Sequence, residues 1–166
     1  MDTKEKTEAT NALGLPVKET GVIAAELNIL LSNFQVYYQN LRGIHWNIKG
    51  KRFFDLHPKF EELYNDAQVK IDEIAERVLT LGGTPLHTFE DYLSNNRLEI
   101  GKDVSKDEDA VQLIISSLTD LLKIERVILE ETDKIEDEGT NSMMSDFITE
   151  QEKTMWMMKA WCDEEI

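Results

Sequence analysis

Five side chains in the first half of this 166-residue sequence have the chemistry of metal ligands: His45, His57, Glu61, Asp72 and Glu76. Imidazole nitrogen and carboxylate oxygen together suit divalent iron, zinc or manganese, the nitrogen as a borderline donor and the oxygens as neutralising charge. His45 and His57 are two of only three histidines in the chain, and they bracket an aromatic-rich turn in the stretch HWNIKGKRFFDLHPKFE. His57 and Glu61 are four apart, as are Asp72 and Glu76, so on a helix each pair projects from one face. Plainer readings stand beside this one. A lone histidine near a helix end often caps or packs. Asp72 and Glu76, among Lys70, Glu73 and Arg77, also fit a solvated face carrying a mildly unfavourable like-charge pair.

The elements that must carry these residues are helices. Ile23, Leu27, Leu30, Phe34, Tyr37, Leu41 and Ile44 step alternately by four and three, which predicts one long amphipathic helix beginning near Glu19 or Thr20 and stopping at Lys49-Gly50. A second is predicted from about Phe54 to Leu81, with Pro58 in its first turn and Gly82-Gly83 and Pro85 ending it. A third runs from about Asp107 to Ile135, with Ser105 and Glu108 placed as a capping box, and a fourth from about Asn141 to Cys162. Short turns fall around residues 49–53 and Gly139. The roughly 25 residues between the second and third helices are too many for a structureless loop, and Phe89-Glu90-Asp91-Tyr92-Leu93 predicts a short helix within them. The fold class is therefore all-α, a four-helix bundle with one long crossover, which is ferritin-like connectivity. Residues 1–20, rich in charge and poor in apolar side chains, are expected to be a mobile tail, and residues 21–166 the bundle domain.

Helix geometry then constrains the ligands. The usual intra-bundle di-iron centre draws on Glu-x-x-His motifs, but Arg42, Phe54 and Thr84 stand three residues before the three histidines. His57 and Asp72 lie fifteen residues apart on one predicted helix, roughly 22 Å at 1.5 Å per residue. One metal cannot span that distance. If all five residues serve one centre, the histidine end of one chain must meet the Asp72/Glu76 segment of another, and a two-fold interface supplies the pairing twice.

Composition narrows the rest. With 41% hydrophobic and 31% charged residues the chain is built to fold. Its apolar runs, such as Ile29-Leu30-Leu31, fall far short of the roughly 20 residues a membrane helix needs, and no apolar leader core follows Met1, so a cytoplasmic location is expected. Cys162 is the sole cysteine, which excludes an intramolecular disulfide. A net charge of −15 repels nucleic acid and attracts cations.

His45-Trp46, Gly50, Phe53-Phe54, Leu56-His57, Phe60-Glu61, Tyr64, Asp72-Glu73, Ala75-Glu76-Arg77, Gly82-Gly83 and Pro85-Leu86 closely resemble, in order and spacing, the Dps family of mini-ferritins, and the likeness spans about residues 20–164. The resemblance implies a hollow dodecameric shell that oxidises Fe(II), with hydrogen peroxide in preference to dioxygen, and stores Fe(III) mineral inside. It implies iron ligation by His45, His57 and Glu61 of one subunit with Asp72 and Glu76 of the two-fold partner; at the position of Glu61 the family more often has Asp. Trp46 and Trp156 match aromatic positions near that centre, where they would intercept stray oxidising equivalents or simply pack. Asp133 and Glu138 match positions lining three-fold iron-entry pores, within an acidic run from Glu125 to Glu138, while Ser142 stands where an aspartate is common. DNA binding is expected to be weak or absent, because residues 1–20 are net −1 and the C-terminus reads Cys-Asp-Glu-Glu-Ile. The alternatives are a nucleoid-compacting cage and a metal-free helical interaction module. Five of the six methionines fall in the last helix as adaptable core filling, and His87 is expected on a surface loop.

Overall fold

The computed structural model describes residues 9–166 and contains α1 (Val17–Asn47), α2 (Phe53–Thr80), α3 (Phe89–Asn95), α4 (Asp107–Asp133) and α5 (Glu138–Trp161). The four long helices form the bundle: α1 packs on α2 and α4, α4 packs on α5, and the short α3 lies against α1. All seven residues of the α1 stripe are buried, none more than 4% exposed, and they meet Leu56, Phe60, Ala67, Ile74 and Val78 of α2, Ile114, Leu118, Leu121 and Ile128 of α4, and Met144, Phe147 and Met158 of α5 in one core. No described helix is long and apolar enough to cross a membrane.

Several helix ends differ from the sequence expectation, each for a local reason. α1 begins at Val17, because Pro16 sets an N-cap φ of −62° and Thr20 Oγ1 donates back to its carbonyl. Of the predicted tail, residues 1–8 lie outside the described residues; the next eight form a turn in which Asn11 Oδ1 accepts from the amides of Leu13 and Leu15. Pro58 is the sixth residue of α2, which starts at Phe53, and so lies in the second turn and not the first. The capping box at Ser105 does not form: Lys106 is the N-cap, and the Ser105 carbonyl accepts from the Lys49 amide instead. The turn expected at Gly139 lies before it, with Glu136 in the left-handed conformation (φ 58°) and Asp137 capping α5 through Thr140 N. Gly139 belongs to the first turn of α5, where a Cβ would fall 2.8 Å from the Arg77 guanidinium.

The long crossover is held by a ladder of asparagines that periodicity does not announce. Asn28 donates to Thr84 O and accepts from Leu86 N; Asn33 donates to Asn95 O and accepts from Arg97 N; Asn40 donates to Glu99 O and accepts from Gly101 N. Each amide satisfies one donor and one acceptor of an irregular backbone, which would otherwise lie unpaired against α1.

The core also contains an acid. Glu125, the first residue of the acidic run that ends at Glu138, is fully buried and accepts a hydrogen bond from Gln151 Nε2, while Glu125 Oε2 and Gln151 Oε1 have no partner. Burial pushes its carboxyl up to about 8, against the opposing influence of the Gln151 hydrogen bond and the Lys70 and Arg126 charges. The group therefore keeps its proton at neutral pH, and a protonated Oε2 can donate to the otherwise empty Gln151 Oε1. Since the ordinary value is 4.5, folding favours the protonated form. The resulting stability is complete below about pH 4.5 and is lost as pH rises towards 8. We expect Glu125→Gln to gain on the parent protein by on the order of 2 to 4 kcal/mol between about pH 5 and pH 8 in paired denaturation curves. A difference that stays flat with pH would show that the carboxyl is already ionised in the fold.

Candidate metal centre

His45 lies in the last turn of α1 and His57 in the second turn of α2, and the short connection through Gly50 (φ 115°) folds one back on the other. The last carbonyls of a helix lack intrahelical partners. The amide that would have served His45 O, that of Lys49, is spent on Ser105 O. His57 Nδ1 takes its place, donating to His45 O at 2.8 Å, and His45 Nδ1 donates to His57 O at 2.7 Å. The imidazoles stack with centroids 3.8 Å apart and planes 18° off parallel. A carbonyl only accepts, so each Nδ1 carries a proton, and in the neutral ring it is Nε2 that keeps the lone pair. Backbone clamps of this kind set the tautomer and aim of metal-ligating histidines.

Two aromatic side chains confine the pair. The Phe53 ring stacks on His57 at 4.8 Å, and Tyr64 presents itself edge-on to His45 at 5.2 Å. Neither was singled out for the site from sequence, although Phe53, Glu61 and Tyr64 stand at −4, +4 and +7 from His57, a readable one-face pattern.

Glu61 lies one turn beyond His57, exposed, beside the Tyr64 phenol, whose pKa is raised first by burial and then by the Glu61 charge. Asp72 and Glu76 are exposed further along α2, in the stripe that runs through His57, Glu61, Asn65 and Gln68. The fold thus brings the two histidines together and leaves the distal carboxylates a long way off on the same rod. Among the described residues of one chain, no three His, Cys, Asp or Glu side chains converge.

Trp46 is 57% exposed, with the Arg42 guanidinium 4.7 Å from its ring centroid and 5.1 Å from that of Tyr38. Trp156, also 57% exposed, is on α5. Asp133 closes α4 and Glu138 opens α5; both are exposed, as is Ser142 one turn on. The intervening Asp137 is buried and pairs with Arg77 at 2.5 Å, so it is a structural acid. His87 is exposed in the crossover, its Nδ1 2.9 Å from Pro85 O.

Residues 24–165 match the family model for the ferritin-like domain. An uncharacterized protein of Haemophilus influenzae is 44% identical over 151 residues, 91% of this chain and 94% of that one. The DNA protection during starvation protein of Porphyromonas gingivalis is 38% identical over 89% of this chain and 93% of its own. Among solved structures, a Dps protein from Vibrio cholerae O1, described as a member of a broad superfamily of ferritin-like diiron-carboxylate proteins, superposes with a TM-score of 0.91 at 46% identity, covering 95% of this chain and 99% of its own.

The clamp geometry predicts the histidine spectrum. In 15N-histidine spectra of the apoprotein above neutral pH, His45 and His57 should both be Nδ1-protonated. Zinc should then move their Nε2 resonances and leave His87 in place. Nε2-protonated tautomers, or equal response of all three, would contradict the assignment.

Proposed function

Because the chain belongs to the Dps family of ferritin-like proteins, we propose that it is a ferroxidase and iron store, oxidising Fe(II) with hydrogen peroxide at sites shared between two-fold-related subunits and keeping the Fe(III) mineral inside a hollow dodecamer. The observation that carries the reading is the carbonyl-clamped His45–His57 pair, which occupies both Nδ1 atoms and leaves both Nε2 atoms for a metal, with an exposed carboxylate, Glu61, one turn away. Iron is the substrate here, so an incompletely enclosed ligand set is what turnover requires.

Asp72 and Glu76 complete the set from the partner. In an antiparallel pairing of two α2 helices, setting His57 opposite Glu76 of the partner subunit also sets Glu61 opposite Asp72 of the partner subunit, because the separations of fifteen and nineteen residues from His57 match the four-residue steps on both sides. A single register therefore unites all five ligands, twice per dimer. An apolar groove beside the site, walled by Tyr38, Arg42, Phe89, Leu93 and Ile100, offers surface for the same partner to cover.

Two Fe(II) ions held together can each give one electron to peroxide, which with two protons leaves as two waters without a hydroxyl radical. Asp133 and Glu138, exposed on either side of the α4–α5 turn, are proposed to line the entry pore, and Trp46 to intercept stray oxidising equivalents. The Arg42 charge over its indole makes electron removal harder, which tunes Trp46 towards strong oxidants only.

Complementation tests the shared site. Chains carrying His45→Ala with His57→Ala, and chains carrying Asp72→Ala with Glu76→Ala, should each lose peroxide-dependent Fe(II) oxidation. Co-assembled at random, they should recover about a quarter of the wild-type sites, one in every mixed dimer. No recovery in assembled mixtures would rule out ligation across the interface. A native particle of roughly 230 kDa, twelve chains of 19.2 kDa, is expected by light scattering. With a net charge of −15, no gel shift of duplex DNA is expected at about 150 mM salt; a tight shift there would favour the DNA-protecting role instead.

A further inference from the structure

We propose that Phe54 packs against Leu79 of the partner subunit, an apolar clasp repeated at both ends of the α2–α2 pairing that fixes its register and closes each shared site on its outer side. This rests on the shared-site reading and names the contact that holds the two half-sites in line.

The observations start from exposure. Phe54 is 86% exposed and Leu79 58%, and with Val69 they are the large apolar side chains that α2 turns to solvent. Large apolar groups left outside a fold mark surfaces that something else covers. Phe54 and Leu79 stand on the ligand stripe, one at each end. They are 25 residues apart, seven turns at roughly 3.6 residues each, so both point in the direction of the ligands between them. Phe54 precedes His57 by three positions and Leu79 follows Glu76 by three. The antiparallel register that sets His57 opposite Glu76 of the partner subunit therefore also sets Phe54 opposite Leu79 of the partner subunit. Nothing in the choice of ligands required this coincidence.

Between the clasps the facing positions are polar, the ligands themselves with Asn65 and Gln68. Such residues tolerate sliding, whereas the two clasps do not. Slipping by about one turn in one direction sets Phe54 against Ala75 or Glu76 of the partner subunit. In the other direction it meets Gly82 or Gly83 of the partner subunit, beyond the end of the helix. The clasp also reaches the metal ligand within its own chain. The Phe54 ring meets Phe53 edge-on, with centroids 5.4 Å apart and planes at 87°, and Phe53 stacks on His57 at 4.8 Å. Covering Phe54 thus steadies the Phe53 ring that backs the imidazole.

Cross-linking of the assembled protein tests the register. With Cys162→Ser removing the native thiol, a chain carrying Phe54→Cys and Leu79→Cys should yield, on oxidation by diamide, covalent dimers of twice 19.2 kDa on a non-reducing gel. Either cysteine alone should leave monomers, because like positions lie roughly 37 Å apart at 1.5 Å per residue. Mixing the two single-cysteine chains should restore the dimer band, with only one exposed position altered per chain. The bridged protein should bind Co(II) within twofold of the Cys162→Ser parent. Monomer bands from both the double variant and the mixture would overturn the clasp, as would equal bridging by the single variants, or bridging that abolishes Co(II) binding. If His57→Ala binds Co(II) as tightly as wild type, the shared-site reading fails instead, and that failure is read on a different protein.

Discussion

An α-helix is a rigid spacer, and in this protein one helix carries both halves of the proposed ligand set. α2 holds the half-buried His57 and exposed Glu61 near its start and the exposed Asp72 and Glu76 some four turns further on, along one stripe. Its opposite face, from Leu56 through Phe60, Ala67 and Ile74 to Val78, is locked into the bundle core and cannot bend to close the gap. Burial on one side therefore dictates incompleteness on the other. Among the described residues the bundle interior offers no alternative cluster: Glu125 is tied to Gln151, Asp137 to Arg77, and the buried cation Lys70 is held by Asp66 and Glu150.

The same partition sorts the carboxylates. With 33 acidic residues the chain has far more negative charge than a core tolerates, and those taken inside are neutral or paired: Glu125 by holding a proton, Asp137 by Arg77 and the Thr140 amide. The acids left outside, among them Glu61, Asp72, Glu76, Asp133 and Glu138, remain free to attract cations. A run of acid in the sequence thus divides into residues that build the α4–α5 turn and residues that face away from it.

Much of this was legible beforehand. All seven residues of the α1 stripe are buried, and the glycines expected after the first two helices, Gly50 in the turn beyond α1 and Gly82 just past the end of α2, both have positive φ. The proximity of His45 and His57 followed from a short turn between two long helices. Less legible were features in which a polar side chain answers a backbone need elsewhere in the chain. Asn28, Asn33 and Asn40 pair with a crossover some sixty positions distant, and Ser105 gives its carbonyl to Lys49 where a local cap was expected. Such pairings have no periodic signature. Tyr64 did have one, at seven residues from His57, but an aromatic residue on a helix face reads first as packing.

The crossed hydrogen bonds between His45 and His57 join residues only twelve apart, so they belong to the α1–α2 hairpin alone. Contacts of such short range form readily while a chain is still finding its fold. Half of the proposed centre is thereby ready in a newly made monomer, and the other half arrives only with a second molecule. Oxidation at such a centre would scale with the square of monomer concentration until shells assemble, which defers the chemistry until there is an enclosure to receive its product.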